Sequence, residues 1–390
     1  MNIVIAAISS ATQLSGVTRH AANLVRCLLT RSEISDVHLI GAPWQHQLLR
    51  DAVSRDDSRL HIHSVPLGPG TVARNLWYYK DLPAIAAQLE ADVVHLSYPS
   101  PLRASAFHCP TVVSLHDLYP YDIPDNFGFP KVFFNRGILW QCLRAADGIA
   151  CVSDNTLHQL AGRASIPVLM KAIRIYNCVE PVAVESPLPG WKGEPFLLCV
   201  AQHRRNKNIL LTLQIFQHLL RCGRIDLTTR LIIVGVFGPE TPQIQRFLRE
   251  SGLNDRVLLI SGIRDAELQW CYTNCELLLA LSSVEGFGLP VAEALLAGCR
   301  IVCSDILAFR ELEGKSCHYI SLIPCALDAF AQKVGNALAE PRGEPQHLPQ
   351  LSVGVIAEEC LRLYRKLILE RSGDVPVVRA KRLSGIMFGK

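Results

Sequence analysis

Leu281-Ser282-Ser283-Val284-Glu285-Gly286-Phe287-Gly288-Leu289-Pro290-Val291-Ala292-Glu293-Ala294-Leu295 reads as the end of one element, a turn, and the start of another. The apolar run Leu277–Leu281 is a strand, Gly286 and Gly288 punctuate a loop, and Pro290 sits where a helix begins, at its first position. A second apolar run, Arg300–Ser304, follows the helix. The segment is therefore one strand–helix–strand unit of a parallel sheet. A helix start presents unpaired N–H groups and a partial positive charge, so the loop is a ready anion site. Glu285 lies in that loop and Glu293 one turn into the helix, seven residues between them. A pure phosphate site does not want two carboxylates. A ligand with a phosphate flanked by hydroxyl-bearing rings does, because a carboxylate accepts two sugar hydroxyls at once.

The same rhythm runs outward in both directions. Asn2–Ile8, Val37–Ile40, Leu60–Val65, Asp92–Leu96, Thr111–Leu115, Gly148–Val152 and Ile173–Tyr176 read as strands, with helical patterns such as Val17–Leu29 and Lys131–Ala146 between them. The stretch Glu180–Gly190 carries three prolines and a closing glycine, which neither ladder tolerates, and reads as a linker. Strands then resume at Phe196–Val200, Leu231–Val234 and Val257–Ile260. The expectation is an α/β protein of two parallel-sheet domains, residues 1–183 and 191–350. A terminal segment, 351–390, holds a last helix over Val355–Glu370 that returns toward the first domain, and a basic tail.

Composition narrows the function classes. The 390 residues, at roughly 150 per domain, suit two or three domains. An apolar share of 49% supports sizeable cores. A net charge of +4 is too small for a chain whose main partner is nucleic acid. No uninterrupted apolar run reaches the length of about 18 residues that a spanning helix needs. The opening Met1–Ile8 has no basic leader and reads as a buried strand, so the expected location is cytoplasmic. Most of the 14 cysteines sit in apolar runs, as Cys151, Cys199 and Cys303 do, and read as small core hydrophobes. Cys271/Cys275 and Cys299/Cys303 lack the second pair that zinc spacing requires.

The block from Glu285 to Pro290 with Glu293, continued by Ala294-Leu295-Leu296-Ala297-Gly298-Cys299-Arg300-Ile301-Val302-Cys303-Ser304-Asp305, resembles the donor site of family 4 glycosyltransferases. These are retaining, nucleotide-sugar-dependent enzymes built from two Rossmann-like domains facing across a cleft, the GT-B fold. Other segments match the family in order. Ala201-Gln202-His203-Arg204-Arg205-Asn206-Lys207-Asn208 resembles its basic diphosphate clamp, opening the helix after the second domain's first strand. Gln13-Leu14-Ser15-Gly16-Val17 resembles its phosphate-approaching glycine turn, and His116-Asp117-Leu118 its His-Asp-Leu. Asp265-Ala266-Glu267-Leu268 resembles the helix before the donor loop, with Ile263 near the nucleobase. Ala146–Ser153 and Tyr176-Asn177-Cys178-Val179-Glu180 match two further landmarks. The likeness covers residues 1–322 and the returning helix. It departs at Gln202, where an Arg is common, at Thr18, where a second glycine is common, and at Asn177-Cys178, where Asn-Gly is usual.

The resemblance implies roles. Glu285 holds the donor sugar's hydroxyls and stabilises positive charge developing at the anomeric carbon. Glu293 accepts the ribose hydroxyls. Lys207, with Arg204 or Arg205, neutralises the leaving diphosphate. His116 lies against the sugar, and Gly16, Ile263, Gly286, Phe287, Gly288 and Leu289 complete the binding surface. The blander alternatives are a helix-start carboxylate at Glu285, a solvated one at Glu293, a solvated basic face at Arg204–Lys207, a structural His116 and an ordinary turn glycine at Gly16; Asp117 reads as structural.

The chain has no Asp-x-Asp, so no metal or other cofactor is expected, and charge neutralisation falls to Lys, Arg and helix N-termini. The expected activity is transfer of a hexosyl unit, mannosyl by overall resemblance, from a UDP- or GDP-sugar to a sugar or lipid-linked acceptor in polysaccharide or glycan biosynthesis. An epimerase on the same fold and a catalytically silent nucleotide-binding subunit are the alternatives. A dinucleotide oxidoreductase is disfavoured because Leu14-Ser15-Gly16-Val17-Thr18 lacks the three-glycine fingerprint. Acceptor stacking is open to the aromatics of Asn75–Lys80 and Tyr119–Phe129, which read equally well as core. The tail Val377–Phe388 reads as a frayed end or a weak peripheral membrane contact.

Overall fold

The structure is a computed structural model and describes residues 1–373 apart from Leu14, Ser54, Arg55, Phe127, Pro324 and Cys325. The basic tail lies outside the described residues. Seven strands, β1 (Asn2–Ala6), β2 (Asp36–Gly41), β3 (Leu60–Ser64), β4 (Val93–Leu96), β5 (Thr111–Leu115), β6 (Gly148–Cys151) and β7 (Ala172–Arg174), form one sheet in the order β3-β2-β1-β4-β5-β6-β7. Six more, β8 (Phe196–Val200), β9 (Arg230–Val234), β10 (Val257–Ile260), β11 (Leu277–Ala280), β12 (Ile301–Ser304) and β13 (Cys317–Ile320), form a second in the order β10-β9-β8-β11-β12-β13. Every pairing is parallel. The near-continuous apolar strands follow from this, since helices cover both faces and leave β5 and β12 buried along their length and β1 buried from Ile3 onward.

Strand order reverses between β1 and β4 in the first sheet and between β8 and β11 in the second. In doubly wound sheets the crevice beyond the strand C-termini at such a switch point is where ligands bind. The loops leaving β5, β8 and β11 carry His116, Lys207 and Glu285, and the loop leaving β1 ends at Gly16, the first residue of the next helix. All four come from that edge of their sheets.

The terminal helix, Val353–Ser372, leaves the second domain and packs through Ile356, Cys360, Leu361, Tyr364 and Leu367 into the first domain's core, against the helix Gly16–Leu28. It is longer than the periodicity suggested, and the helix Leu327–Ala339 and strand β13 precede it. β13 escaped the sequence reading because Cys317-His318-Tyr319-Ile320 is a half-buried edge strand of mixed polarity. The linker has neither helix nor strand from residue 177 to 190, but its second half is not free. Ser186 N donates to Ala266 O at 3.0 Å, and Leu188 is buried in the second domain's core. Rotation between the domains therefore has to be absorbed before Glu185.

The described cysteines are free thiols, and only Cys222 and Cys317 are not buried. Among the described residues no group of three or more His, Cys, Asp or Glu is arranged to hold a metal ion. Trp77 and Tyr78 are core, with Tyr78 donating to Ile8 O at 3.1 Å, which removes both from acceptor stacking.

Candidate active site

The donor loop is built by two constraints. Gly288 takes φ +98°, a left-handed turn that caps the helix Leu289–Leu296, and a Cβ there would lie 2.8 Å from the Phe309 ring. This places Leu289 at the first helical position and Pro290 at the second, one residue later than the sequence suggested. Pro remains tolerable because the second N–H is also unpaired within the helix. Gly286 is constrained from outside its own domain: a Cβ on it would sit 1.7 Å from the His116 carbonyl oxygen. The loop and the end of β5 thus press backbone to backbone, which only glycine permits. Phe287 turns inward and is buried in the second domain's core beside Tyr176. Its side chain cannot reach a ligand in the cleft; only its backbone remains for that use.

Lys207 does not open a helix. It ends a short 3₁₀ turn, Arg205–Lys207, ahead of Asn208, whose φ of +50° starts the helix Ile209–Arg221. The two flanking asparagines staple this turn to the donor loop. Asn206 Nδ2 donates to Val284 O at 3.2 Å, Asn208 Nδ2 donates to Leu281 O at 2.8 Å, and Ser283 N donates to Asn206 O at 2.8 Å. Lys207 Nζ is thereby held 2.5 Å from Glu285 Oε1. From the other domain, Tyr119 Oη donates to Glu285 Oε2 at 3.3 Å. Glu285 is only 9% exposed, so the ion pair lies between the domains in a largely desolvated position.

Glu293 is served separately. Tyr272 Oη donates to its Oε2 at 2.8 Å, and the Arg19 guanidinium lies 3.7 Å from Oε1. Arg19 belongs to the first domain and also binds Asp265 at 2.7 Å. Burial raises the Glu293 pKa, and Arg19 opposes that shift. Ile263 is half-buried just after Gly262, at the edge of the second domain's core. Arg204 is exposed, and its charge acts on Asp117 and Tyr119 across the cleft.

His116 donates from Nε2 to Ser97 O at 2.8 Å and packs edge-on against His20 with ring centroids 4.6 Å apart. Burial lowers its pKa, so it is a neutral imidazole. Gly16 is the first residue of its helix, capped by Ser15, and a Cβ on it would meet no atom within 4 Å. Thr18 stands where a second glycine is common because it is buried and its hydroxyl pairs with Ser15 Oγ at 3.0 Å. Cys178, at the other departure, is a buried core residue whose carbonyl accepts from Asn23.

Three features of the site escaped the sequence reading. Burial pushes Asp117 up to about 6, facing Arg204 and Lys207, so it belongs to the cleft's electrostatics. Glu311, from the second domain, caps the helix Asp154–Ala161 of the first by accepting from Asp154 N at 2.5 Å and Asn155 N at 3.1 Å. With Asn155 Nδ2 donating to Glu285 O at 3.0 Å and Thr156 Oγ1 to Gly286 O at 3.1 Å, this contact holds the cleft closed. Finally, a buried chain of hydrogen bonds links Tyr364, His95, Ser114, His20 and Asn177 behind His116. None of these carries a sequence signal, because each depends on residues far apart in the chain.

Comparisons with known proteins bear on the fold and the family. The profile described as Glycosyltransferase Family 4 matches residues 14–182, and that described as Glycosyl transferases group 1 matches residues 187–348. The chain is 24% identical over 335 residues to the O-antigen chain mannosyltransferase B of Escherichia coli, covering 80% of this chain and 85% of that one. A 130-residue stretch is 29% identical to the GDP-mannose:cellobiosyl-diphosphopolyprenol alpha-mannosyltransferase of Xanthomonas oryzae pv. oryzae (strain PXO99A), covering 33% of each. The solved structure of WaaG, a glycosyltransferase involved in lipopolysaccharide biosynthesis, superposes with a TM-score of 0.66 at 14% identity, over 98% of this chain and 100% of that one. The two profiles meet at the linker and together cover every strand of the two sheets but β1, and on that ground the chain belongs to the family 4, group 1 glycosyltransferases: it is a hexosyltransferase of GT-B fold.

Proposed function

We propose that this enzyme transfers a mannosyl unit from GDP-mannose, with retention at the anomeric carbon, to a sugar or lipid-linked glycan acceptor. The observation that carries the reading is the Lys207–Glu285 pair, buried between the two sheets' ligand-binding edges and touched by Tyr119 of the opposite domain. On donor binding Lys207 exchanges its partner, leaving Glu285 for the diphosphate, and Arg204 and the N–H groups at Leu289 share that charge. Glu285 is then free to hold the sugar's hydroxyls, and Glu293 takes the ribose. The bond from the anomeric carbon to the phosphate oxygen breaks, the acceptor oxygen bonds on the same face, and its proton passes to the leaving phosphate. Neutralisation by Lys207 and Arg204 makes a metal unnecessary in this scheme. The first domain, on this reading, receives the acceptor. GDP-mannose is favoured over a UDP-hexose by the mannosyltransferase relatives.

The test is a thermal-shift and turnover screen of GDP-mannose against UDP-hexoses and ADP-glucose, with and without an oligosaccharide acceptor. Site ligands stabilise in proportion to occupancy. Stabilisation and acceptor-dependent release of GDP from GDP-mannose are expected. Product formed without acceptor, or stabilisation by UDP-sugars alone, overturns the reaction or the donor respectively.

Gly16→Ala separates ligand approach from folding. The space around it is empty of protein and its φ is not left-handed, so the substitution is expected to leave Tm unchanged or slightly raised. Crowding the approaching phosphates is expected to raise the donor KM about tenfold, a cost of the order seen for one intruding methyl. An unaltered KM removes Gly16 from the site.

A further inference from the structure

One cation in the cleft has no part in the transfer scheme above. Arg19 lies on the first turn of the helix Gly16–Leu28 in the first domain, and its guanidinium crosses to two carboxylates of the second. Its Nη2 donates to Asp265 Oδ1 at 2.7 Å, whereas its Nη1 stands 3.7 Å from Glu293 Oε1. The first contact is a hydrogen bond; the second is charge attraction alone, because a bond between such groups needs about 2.7–2.9 Å. Tyr272 Oη already serves the other oxygen of Glu293, Oε2, at 2.8 Å. Nη1 and Oε1 thus face each other as a donor and an acceptor with no hydrogen bond between them. A hydroxyl is the group that fits this gap, since it accepts one hydrogen bond and donates another. Bonded to both, it would hold the two atoms about 4.6 Å apart, roughly an ångström more than now, which a small rotation of either side chain supplies. A phosphate oxygen placed there would be repelled by Glu293, and an ammonium group by Arg19.

A neighbouring contact sets the gap beside the nucleoside. Ser261 Oγ donates to Gln13 Oε1 of the first domain at 2.8 Å. The first domain therefore touches the second at Ser261 and at Asp265, on either side in the chain of Ile263, the residue expected against the nucleobase. We infer that Arg19 makes recognition of the donor's ribose a joint act of the two domains, one ribose hydroxyl bridging Arg19 Nη1 and Glu293 Oε1. The inference rests on the assignment of Glu293 to the ribose in the function proposed above. A ribonucleotide then draws the first domain onto the second, and a nucleotide without the hydroxyls leaves the gap unfilled. Glu293 has to stay ionised to accept the bond. The charged and titratable groups facing it are Arg19, Tyr272 and Asp265: burial raises its pKa, Arg19 and Tyr272 oppose the rise, and Asp265 adds to it. Arg19 is thus both a partner of the hydroxyl and the cation that keeps its other partner charged.

The test is titration calorimetry of the full chain with GDP and with dideoxy-GDP, which lacks both ribose hydroxyls. Wild type is expected to prefer GDP by about 100-fold, for the loss of charge-assisted bonds to Glu293 and Arg19. Arg19→Met is expected to cut that preference to about tenfold, weakening GDP and leaving dideoxy-GDP within about twofold of wild type. Its affinity for GDP is also expected to fall between about pH 8 and about pH 6 more steeply than that of wild type, because Glu293 has lost the cation that keeps it ionised. Arg19→Lys keeps a charge without the guanidinium fork, so it is expected to lose the preference to a similar extent and not to gain the pH dependence. Equal weakening of GDP and dideoxy-GDP places Arg19 on the diphosphate and overturns the inference. Unchanged affinity for both makes Arg19 a structural tie and overturns it equally. Glu293→Gln separates this from failure of the underlying reading. If that variant abolishes the preference and Arg19→Met does not, the inference alone falls; if it leaves the preference intact, Glu293 is not the ribose carboxylate and both fall. Should wild type bind UDP and not GDP, a preference for UDP over dideoxy-UDP that Arg19→Met reduces keeps the inference and removes GDP-mannose as the donor.

Discussion

Glu285→Ala and Lys207→Ala are each expected to lower kcat/KM for the donor by about 100- to 1,000-fold, while leaving Tm within a few degrees of wild type. The magnitude is that of removing one preorganised charge aimed at developing transition-state charge. The two are expected to differ in where the loss appears. In the role proposed, Glu285 holds the sugar's hydroxyls throughout but acts most strongly as the anomeric carbon becomes positive, so most of its loss is expected to fall on kcat. Lys207, in the role proposed, grips the diphosphate in ground and transition states alike, so its loss is expected to raise the donor KM as well as lower kcat. The groups touch at 2.5 Å, so the double substitution should cost much less than the product of the singles. Removing Lys207 alone also leaves Glu285 unpaired at 9% exposure, facing an incoming diphosphate of like charge. Lys207→Ala is therefore expected to bind GDP less tightly than the double variant does. Steady-state kinetics and GDP titration on the four proteins check this; near-wild-type turnover in either single variant sinks the site.

The positions of most strands along the chain and of the Glu285 loop were readable because both rest on local signals. Apolar runs such as Phe196–Val200 and Leu277–Ala280 are nearly uninterrupted, and the glycines of the loop are demanded by backbone geometry. Lys207 was found by its basic run, although its placement ahead of the helix required knowing that Asn208 turns left-handed. The unread part of the site is the part assembled across the cleft. Tyr119 reaches Glu285 across 166 positions, and Arg19 reaches Asp265 across 246. No periodicity relates residues so far apart. Asp117 shows the same limit in another form, since its perturbed acidity comes from burial created by the facing domain. Trp77 and Tyr78 had equal claim to core and surface because their helical segment is short and opens on three consecutive aromatics, and packing alone decided it.

Lowering the pH from 7 to about 5 is expected to destabilise the protein through histidines that are buried neutral. In the chain behind the active site the polarity is fixed by its ends. Asn177 Oδ1 accepts from His20 Nδ1, so His20 Nε2 must accept from Ser114. Ser114 Oγ then accepts from His95 Nε2, and His95 Nδ1 accepts from Tyr364. Each imidazole carries one proton, and a second has no acceptor to meet it. Burial, with repulsion from His116, accordingly lowers His95 to about 3 and His20 well below its ordinary value. The unfolded chain takes up the proton near 6.5, so this stability is full above 6.5 and is lost as pH falls toward 3. At about pH 5 His95 alone accounts for about 2 kcal/mol, and His20 acts in the same direction. Asp117 opposes them: raised to about 6, it favours the folded state as it protonates, by about 1.4 kcal/mol over the same interval. The histidines outweigh it, so the denaturation midpoint should fall between pH 7 and 5. His95→Gln keeps an acceptor for Tyr364 and a donor for Ser114 without a titrating group, and is expected to reduce or reverse that fall. An identical shift in wild type and His95→Gln would show that His95 takes no part in the acid response.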